Sequence, residues 1–333
     1  YCKIDKKRNL KKKLKNNVKK ILILGATGFI GKNLVNHFAK KQKVVGVYNV
    51  KKPFKNKNIK WIKSDLTNEK DLENIFKNID IVIQAAATTS GSKDIIERPY
   101  IHVTDNAIMN SLILKKIFHS NVKHFIFFSC TVMYPNSEKK IKESQKIEKI
   151  YPKYFGVANT KIYIEKMCEF YSRISTTKFT IIRHSNIYGP FDKFDLARSH
   201  MFGASVTKVG QTLKKNIKNE ISVWGDGQEK RDLLFVEDLV DFVVKVIRKQ
   251  KSHFEIFNCG YGKAFSVKMI VEKIIKNMNP RCKIIFDKTK PSIKTSLFLD
   301  YTKAQRMIGW KPKTKLDIGI QKTVTWWKKN IKI

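Results

Sequence analysis

Acidic residues are scarce in this chain: 28 Asp and Glu stand against 68 Lys and Arg in 333 residues, a formal net charge of +40. Such a field makes nucleic acid the first partner to test. The basic residues are overwhelmingly lysine, however, and they spread along the whole length with few arginines and no aromatic-basic recognition stretch, which disfavours a dedicated nucleic-acid surface. No apolar run approaches the roughly 20 residues that cross a bilayer, so no membrane insertion is expected. Residues 1–20 contain no apolar centre of a signal peptide. Glycine and proline, 15 and 8 residues, are too few for a low-complexity or collagen-like chain. The five cysteines, Cys2, Cys130, Cys168, Cys259 and Cys282, show no Cys-x-x-Cys spacing. Neither a zinc site nor a disulfide framework is suggested, no metal is expected, and a reducing, cytoplasmic setting is the expectation.

What is present begins at Lys19. The apolar run Ile21-Leu22-Ile23-Leu24 leads directly into Gly25-Ala26-Thr27-Gly28-Phe29-Ile30-Gly31 and then into an amphipathic segment with Leu34, Val35 and Phe38. Glycine permits a sharp turn and lets backbone N–H groups approach a phosphate that a Cβ would hold off, and a helix N-terminus adds partial positive charge. A second apolar strand, Val44 to Tyr48, completes a βαβ start, so the spacing predicts a dinucleotide site. With 42% hydrophobic residues the chain is long enough for a substantial core.

The alternation continues. Strands are expected at 60–65, 80–87, 124–129 and 179–183, with helices near 69–76, 100–119 and 157–172. Strands this apolar are buried on both faces, as in a parallel sheet. The expected fold is therefore α/β, a doubly wound parallel (Rossmann) sheet with a smaller, interleaved C-terminal α/β substrate domain. The pattern loosens after Asn186, with a helix around 200–209 and a short strand at 221–224. The segment 236–246 then reads as a strongly amphipathic helix that returns to the sheet. The expected division is a basic tail at 1–17, a cofactor domain at 18–187 to which 232–259 returns, and a substrate domain made of 188–231 and 260–333. The tail reads as a solvated charge run.

Several further motifs occur in order. They are Asp65-Leu66, Ala85-Ala86-Ala87, Asn186-Ile187-Tyr188-Gly189-Pro190-Phe191-Asp192-Lys193-Phe194, Ser199-His200, Trp224-Gly225-Asp226-Gly227, Arg231-Asp232-Leu233-Leu234-Phe235-Val236-Glu237-Asp238 and Gly309-Trp310-Lys311-Pro312. With the glycine triplet, these make the chain resemble an extended short-chain dehydrogenase/reductase over nearly everything from Lys19 to Trp327. That group includes nucleotide-sugar epimerases, dehydratases and GDP-L-fucose synthase. The Asn-Ile-Tyr-Gly-Pro motif and the Ser-His pair tilt the resemblance toward the fucose-synthase-like branch.

The resemblance implies NAD or NADP bound by Gly25, Thr27, Gly28, Phe29, Ile30 and Gly31, with Asn49, Lys51, Asp65 and Leu66 at the adenosine end. Ala85, Ala86, Ala87, Asn106, Ser129 and Lys161 would follow the cofactor inward. An acidic residue usually ends the second strand and holds the ribose hydroxyls. Here Tyr48-Asn49-Val50-Lys51-Lys52 has none, and the two lysines suit a 2′-phosphate, a slight preference for NADP. On the substrate side the resemblance points to Asn186, His200, Lys208, Trp224 and Arg231. Arg231 and Lys208 would clamp a diphosphate, since a planar guanidinium suits that geometry. It also implies a homodimer through the helices near 100–119 and 157–172.

One departure matters for chemistry. The group uses a strand hydroxyl and a Tyr-x-x-x-Lys pair, in which the phenol passes a proton while hydride moves to or from the cofactor. Lys161 takes the lysine place, but four residues earlier stands Val157. Cys130 stands where serine or threonine is expected, between Ser129 and Thr131. Val132 also replaces a cysteine that in the fucose-synthase-like pattern shares epimerisation with the histidine, although His200 remains. Three routes stay open: Tyr154 swings into the vacated volume; His200, Cys130 or a water moves the proton while Lys161 holds the cofactor; or catalysis is lost and binding retained. The leading function is an NAD(P)-dependent nucleotide-sugar epimerase/reductase, and the alternative is a catalytically silent NAD(P)-binding protein.

Overall fold

The computed structural model describes residues 19–89, 97–196, 199–214, 218–290 and 296–331. The basic tail expected at 1–17 lies outside the described residues. The apolar run Ile21–Leu24 forms β1 and passes through the glycine loop into α1 (Phe29–Phe38). There follow β2 (Val44–Tyr48), β3 (Ile59–Lys63), β4 (Ile81–Gln84), α2 (Thr104–Phe118), β5 (His124–Ser129), α3 (Phe155–Ile174) and β6 (Lys178–His184). The helix expected near 69–76 is only a 3₁₀ turn at Lys70–Leu72. The segment runs through successive turns, and Leu72, Ile75 and Phe76 still fill the core there. Apolar spacing thus met the need for burial without an α-helix.

After β6 come β7 (Asn186–Tyr188), α4 (Met201–Gln211), β8 (Glu220–Trp224), β9 (Lys230–Phe235), α5 (Val236–Lys249), β10 (Phe254–Cys259), β11 (Ala264–Ser266), α6 (Val267–Met278), β12 (Lys283–Asp287), α7 (Thr302–Ile308) and α8 (Leu316–Asn330). Seven strands form one sheet in the order β10-β6-β5-β4-β1-β2-β3. Every pairing in it is parallel. The strand order turns around between β1 and β4, which is where such sheets open a crevice at their carboxyl ends.

Strand side chains alternate between two helical layers. Ile21, Ile23, Ile81 and Ile83 pack with Leu34 and Val35 of α1 and with Leu239, Phe242, Val243 and Val246 of α5. Leu22, Leu24, Val82, Phe125 and Phe127 face the opposite way, toward Ile113 and Ile117 of α2 and Ile164 and Cys168 of α3. Period-2 alternation with apolar residues at every position is what a sheet covered on both faces requires. The later chain crosses back over itself, since α5 covers the first sheet face and β10 extends the sheet beside β6. A separate cluster built on Phe202, Val206, Val209, Ile221, Val223, Ile270, Ile274, Ile320 and Trp327 holds the remaining elements together.

Between α2 and α3 an apolar surface stays uncovered. Ile108 and Phe118 on α2 and Tyr163, Phe170 and Ile174 on α3 are all 38–53% exposed. Among the described residues, no helix is long and apolar enough to cross a membrane.

Candidate functional site

The glycine loop is shaped by backbone contacts that leave no room for side chains. Gly25 has φ +69°, a conformation that L residues rarely adopt, and a Cβ there would meet Ala86 Cα at 2.6 Å. The ends of β1 and β4 therefore touch, and Ala85 and Ala86 form the wall beside the loop. At Gly31 a Cβ would stand 2.1 Å from Gly25 O, so glycine is needed to seat α1 against the loop. Gly28 differs, because a Cβ there would meet only Gly25 O at 3.2 Å and the residue is exposed. It N-caps α1, with no side-chain cap and no acidic residue in the first turn. The first N–H groups of a helix have no intrahelical partners. An uncapped, cation-like helix end beside an open glycine fits a pyrophosphate. Thr27 is buried, and Phe29 and Ile30 lead into the helix half-buried.

At the outer end of the crevice, Asn49 bonds to Asp65, whose Oδ1 also accepts from Thr67 N and Oγ1. These bonds hold the Asp65 carboxyl below the usual range. Leu66 is buried beneath it. Lys51 is exposed and shares a small cavity of about 270 Å³ with Lys32, Phe191, Asp192 and Trp326. Burial and the Lys51 charge together lower the Lys32 pKa. Its Nζ lies 4.4 Å from the centre of the Phe191 ring and 5.1 Å from that of Phe54.

Farther in, two sequence-flagged residues turn out to support the crevice with their side chains. Asn106 Nδ2 donates to Thr88 O and His102 O, and its Oδ1 accepts from Thr88 N, which pins the loop after Ala87. Ser129 is fully buried and donates through Oγ to Glu165 Oε1, so its hydroxyl is directed into the protein. Glu165 pairs with Arg183 at 2.6 Å with both side chains almost fully covered. Arg183 in turn donates to Tyr134 Oη, and Tyr134 donates to Asn258 Oδ1. Sequence reading missed this network, because pairing between β5, α3 and β6 creates it and no local spacing signals it.

Lys161 reaches from α3 to donate to Phe128 O at 3.0 Å. Burial lowers its pKa, partly offset by Cys130 and Glu165, while burial raises that of the Cys130 thiol and Lys161 opposes the rise. The bond to Phe128 O, two residues before Cys130, sets the two groups close together. Tyr154 is the residue immediately before α3, at the end of a 3₁₀ turn. It lines a cavity of about 690 Å³ together with Thr131, Val132, Asn186, Lys230 and Arg231. Burial raises the Tyr154 pKa, and the nearby Arg231 charge counters that effect. Val157 follows half-buried on the first turn of α3 and offers no proton.

His200 N-caps α4. It keeps solvent-accessible surface while enclosed deeply enough that burial, with the charges of Lys193 and His102, lowers its pKa. His184, at the end of β6, senses the charges of both Lys161 and His200. Sequence reading passed over this histidine, which directly follows the apolar strand expected at 179–183. Lys208 and Trp224 stand together, apart from the residues around the larger cavity: Lys208 Nζ donates to Ser222 O at 2.7 Å and lies 6.0 Å from the Trp224 ring centre. Arg231 Nη1 donates to Lys230 O, and burial lowers its pKa.

A doubly wound sheet with an uncapped glycine loop at its switch point defines a nucleotide-binding α/β protein. The model of the NAD dependent epimerase/dehydratase family matches residues 21–260, and the chain belongs to that family. It is 27% identical over 309 residues to GDP-L-colitose synthase of Yersinia pseudotuberculosis, covering 91% of this chain and 96% of that protein. It is 28% identical to GDP-L-fucose synthase of Sinorhizobium fredii, covering 92% and 94%. Among solved structures, UDP-glucose 4-epimerase of Thermotoga maritima, determined with UDP-glucose, superposes with a TM-score of 0.83 at 24% identity, covering 94% of this chain and all of the other. That likeness speaks for the fold.

Proposed function

We propose that this chain acts on a nucleotide-linked sugar by hydride and proton transfer, with a GDP-linked keto-deoxy sugar as the substrate class. The observation that carries the reading is the cavity of about 690 Å³ in which Arg231, Asn186 and Tyr154 converge at the carboxyl edge of the sheet. Its size suits a sugar nucleotide. The two GDP-sugar synthases similar along nearly their whole length support the choice of GDP.

Hydride chemistry is what the nicotinamide cofactor supplies when bound. The glycine loop and the first turn of α1 hold the pyrophosphate, and Lys161, fixed by Phe128 O, grips the nicotinamide ribose. Arg231 takes the sugar nucleotide's diphosphate through its planar fork. Tyr154, kept protonated by burial, donates a hydrogen bond to the sugar. Lys51, with Lys32 nearby, supports NADP over NAD by offering positive charge to a 2′-phosphate. The uncovered apolar face of α2 and α3 supports a homodimer. In this reading 18–187 and 232–259 serve the cofactor, and 188–231 and 260–333 serve the sugar.

Incubating the purified chain with NADP or NAD and a panel of GDP- and UDP-linked sugars, and following products by mass spectrometry, tests this reading. Conversion of a GDP-keto-sugar supports it. The catalytically silent reading is favoured by one observation, Val157 in the tyrosine place, and it predicts cofactor binding without conversion across the whole panel.

A further inference from the structure

The connection between β5 and α3 has two halves that are held very differently. Its first half is fastened to β6, β10 and the segment before α7. Ile141 N donates to Phe298 O, and Ile141 O accepts from Asp300 N and from Asn258 Nδ2. Glu143 Oε1 accepts from Asn258 N at 2.7 Å, and Glu143 O accepts from Arg183 Nη1. The fastening stops there. Gln145 N donates to Lys142 O and Gln145 Nε2 to Lys146 O, but among the described residues 144–150 have no hydrogen bond or ion pair to any strand or helix. The chain is caught again at the 3₁₀ turn Pro152–Tyr154, where Tyr154 N donates to Tyr151 O and the two rings meet at 5.7 Å.

This loose half is a wall of the cavity of about 690 Å³, since residues 147–152 all line it. Ile147, Ile150 and Tyr151 are half-buried, while Glu148 and Lys149 are exposed. A segment whose backbone bonds to water and not to neighbouring elements opens at little cost. Another wall comes from β9, through Lys230 and Arg231. Three cations, Lys149, Lys230 and Arg231, therefore border the cavity against one carboxylate, Glu148. Lys230 also pairs with Glu138 at 3.3 Å, an exposed contact that offsets little of its charge. Without a ligand, like charge holds Lys149 away from β9, and a diphosphate placed between them turns that repulsion into attraction.

We propose that residues 144–152 are a lid that closes over the sugar nucleotide, with Lys149 reaching the same diphosphate that Arg231 holds. This rests on the nucleotide-sugar reading given above and adds a moving wall and a second cation to that site. A ligand shifts such an equilibrium only by binding the closed form better than the open one. The diphosphate supplies that difference, because Lys149 contacts it in the closed form alone. Glu143 and the turn at Pro152 are the fixed points about which the segment swings. Closure brings Ile147 and Ile150 down with it, and their apolar side chains exclude water from the sugar.

The test is hydrogen exchange followed by mass spectrometry on the full chain, free and with a panel of GDP- and UDP-linked sugars, with calorimetry to measure binding. In the free chain the amides of residues 146–151 should exchange close to the unprotected rate, and a bound sugar nucleotide should slow them about tenfold or more. Lys149→Met removes a charge from an exposed side chain, so its melting temperature should match that of the wild type. It should weaken sugar-nucleotide binding about tenfold and lose most of the protection, and Lys149→Arg should restore both. A sugar nucleotide that binds while residues 146–151 exchange as fast as before overturns the lid and leaves the functional reading intact. A Lys149→Met variant with wild-type affinity and protection does the same. Failure of every sugar nucleotide to bind the wild type overturns the functional reading, and this one with it.

Discussion

The two ends of the crevice are built from different materials. The glycine end is made of backbone: Gly25 against Ala86, Gly31 against Gly25 O, and the uncapped first turn of α1. The inner end is made of side chains, Lys161, Cys130, Tyr154, His184 and His200, and Val157, one helical turn before Lys161, cannot carry a proton. A backbone cradle admits little variation, because at Gly25 and Gly31 a Cβ collides with fixed backbone atoms. A proton carrier can be replaced by any titratable group that reaches the same point. The first kind of site is therefore specified by residue type and spacing, whereas the second is specified by three-dimensional convergence.

The sharpest way to break this contrast is to remove the scaffold beneath the inner end. Glu165→Ala strips the partner from buried Arg183 and from Ser129, and leaving one charge of such a pair uncompensated costs about 3–5 kcal/mol. Denaturant unfolding should show that loss. Gly31→Ala attacks the other end. The added Cβ meets backbone atoms at 2.1 and 2.8 Å, so an overpacking loss of about 1–3 kcal/mol is expected, together with loss of cofactor binding by calorimetry. Retained affinity in Gly31→Ala would mean that the loop is not the cradle.

The inner end can also be read through pH. The His184 pKa in the folded chain, about 4, lies below the ordinary 6.5. Between those values the unfolded chain binds a proton that the folded chain does not, so stability rises with pH through this window and is lost as pH falls. Asp192 acts the other way. Burial raises its pKa from 3.8 to about 7, so the folded chain holds a proton that the unfolded chain lacks, and stability falls as pH rises between those values. Comparing variants isolates the histidine: wild type should lose about 1–3 kcal/mol more than H184Q on going from pH 7 to pH 5. Equal losses would place His184 in an ordinary environment. A smaller effect is expected at the substrate side, where Arg231→Ala should raise the KM for a sugar nucleotide about tenfold with little change in kcat, as measured by initial rates.

Legibility in the sequence followed the same division. The seven parallel strands were readable in part because an uninterrupted apolar run such as Phe125-Ile126-Phe127-Phe128, too short for a buried helix, suits a strand covered on both faces, and the glycine spacing located the crevice. The stretch around Lys70–Leu72 misled, since Leu72, Ile75 and Phe76 have helical spacing yet pack from turns. At the inner end, Lys161 was assigned by its place in a pattern, whereas His184 and the Glu165–Arg183 pair were not noticed. Their partners lie 18 or more residues away in the chain or depend on strand register, which a linear reading does not contain. Ser129 was assigned by neighbourhood, while its hydroxyl proved to face Glu165.

The central claim is that the glycine-lined crevice holds a nicotinamide dinucleotide in backbone contacts. Titration calorimetry of the purified chain with NADP and with NAD, in parallel with Gly31→Ala, tests it most directly. Saturable binding to the wild type, tighter for NADP and abolished in the variant, is the predicted result. No heat with either dinucleotide at millimolar concentration, or equal binding by wild type and variant, would contradict it.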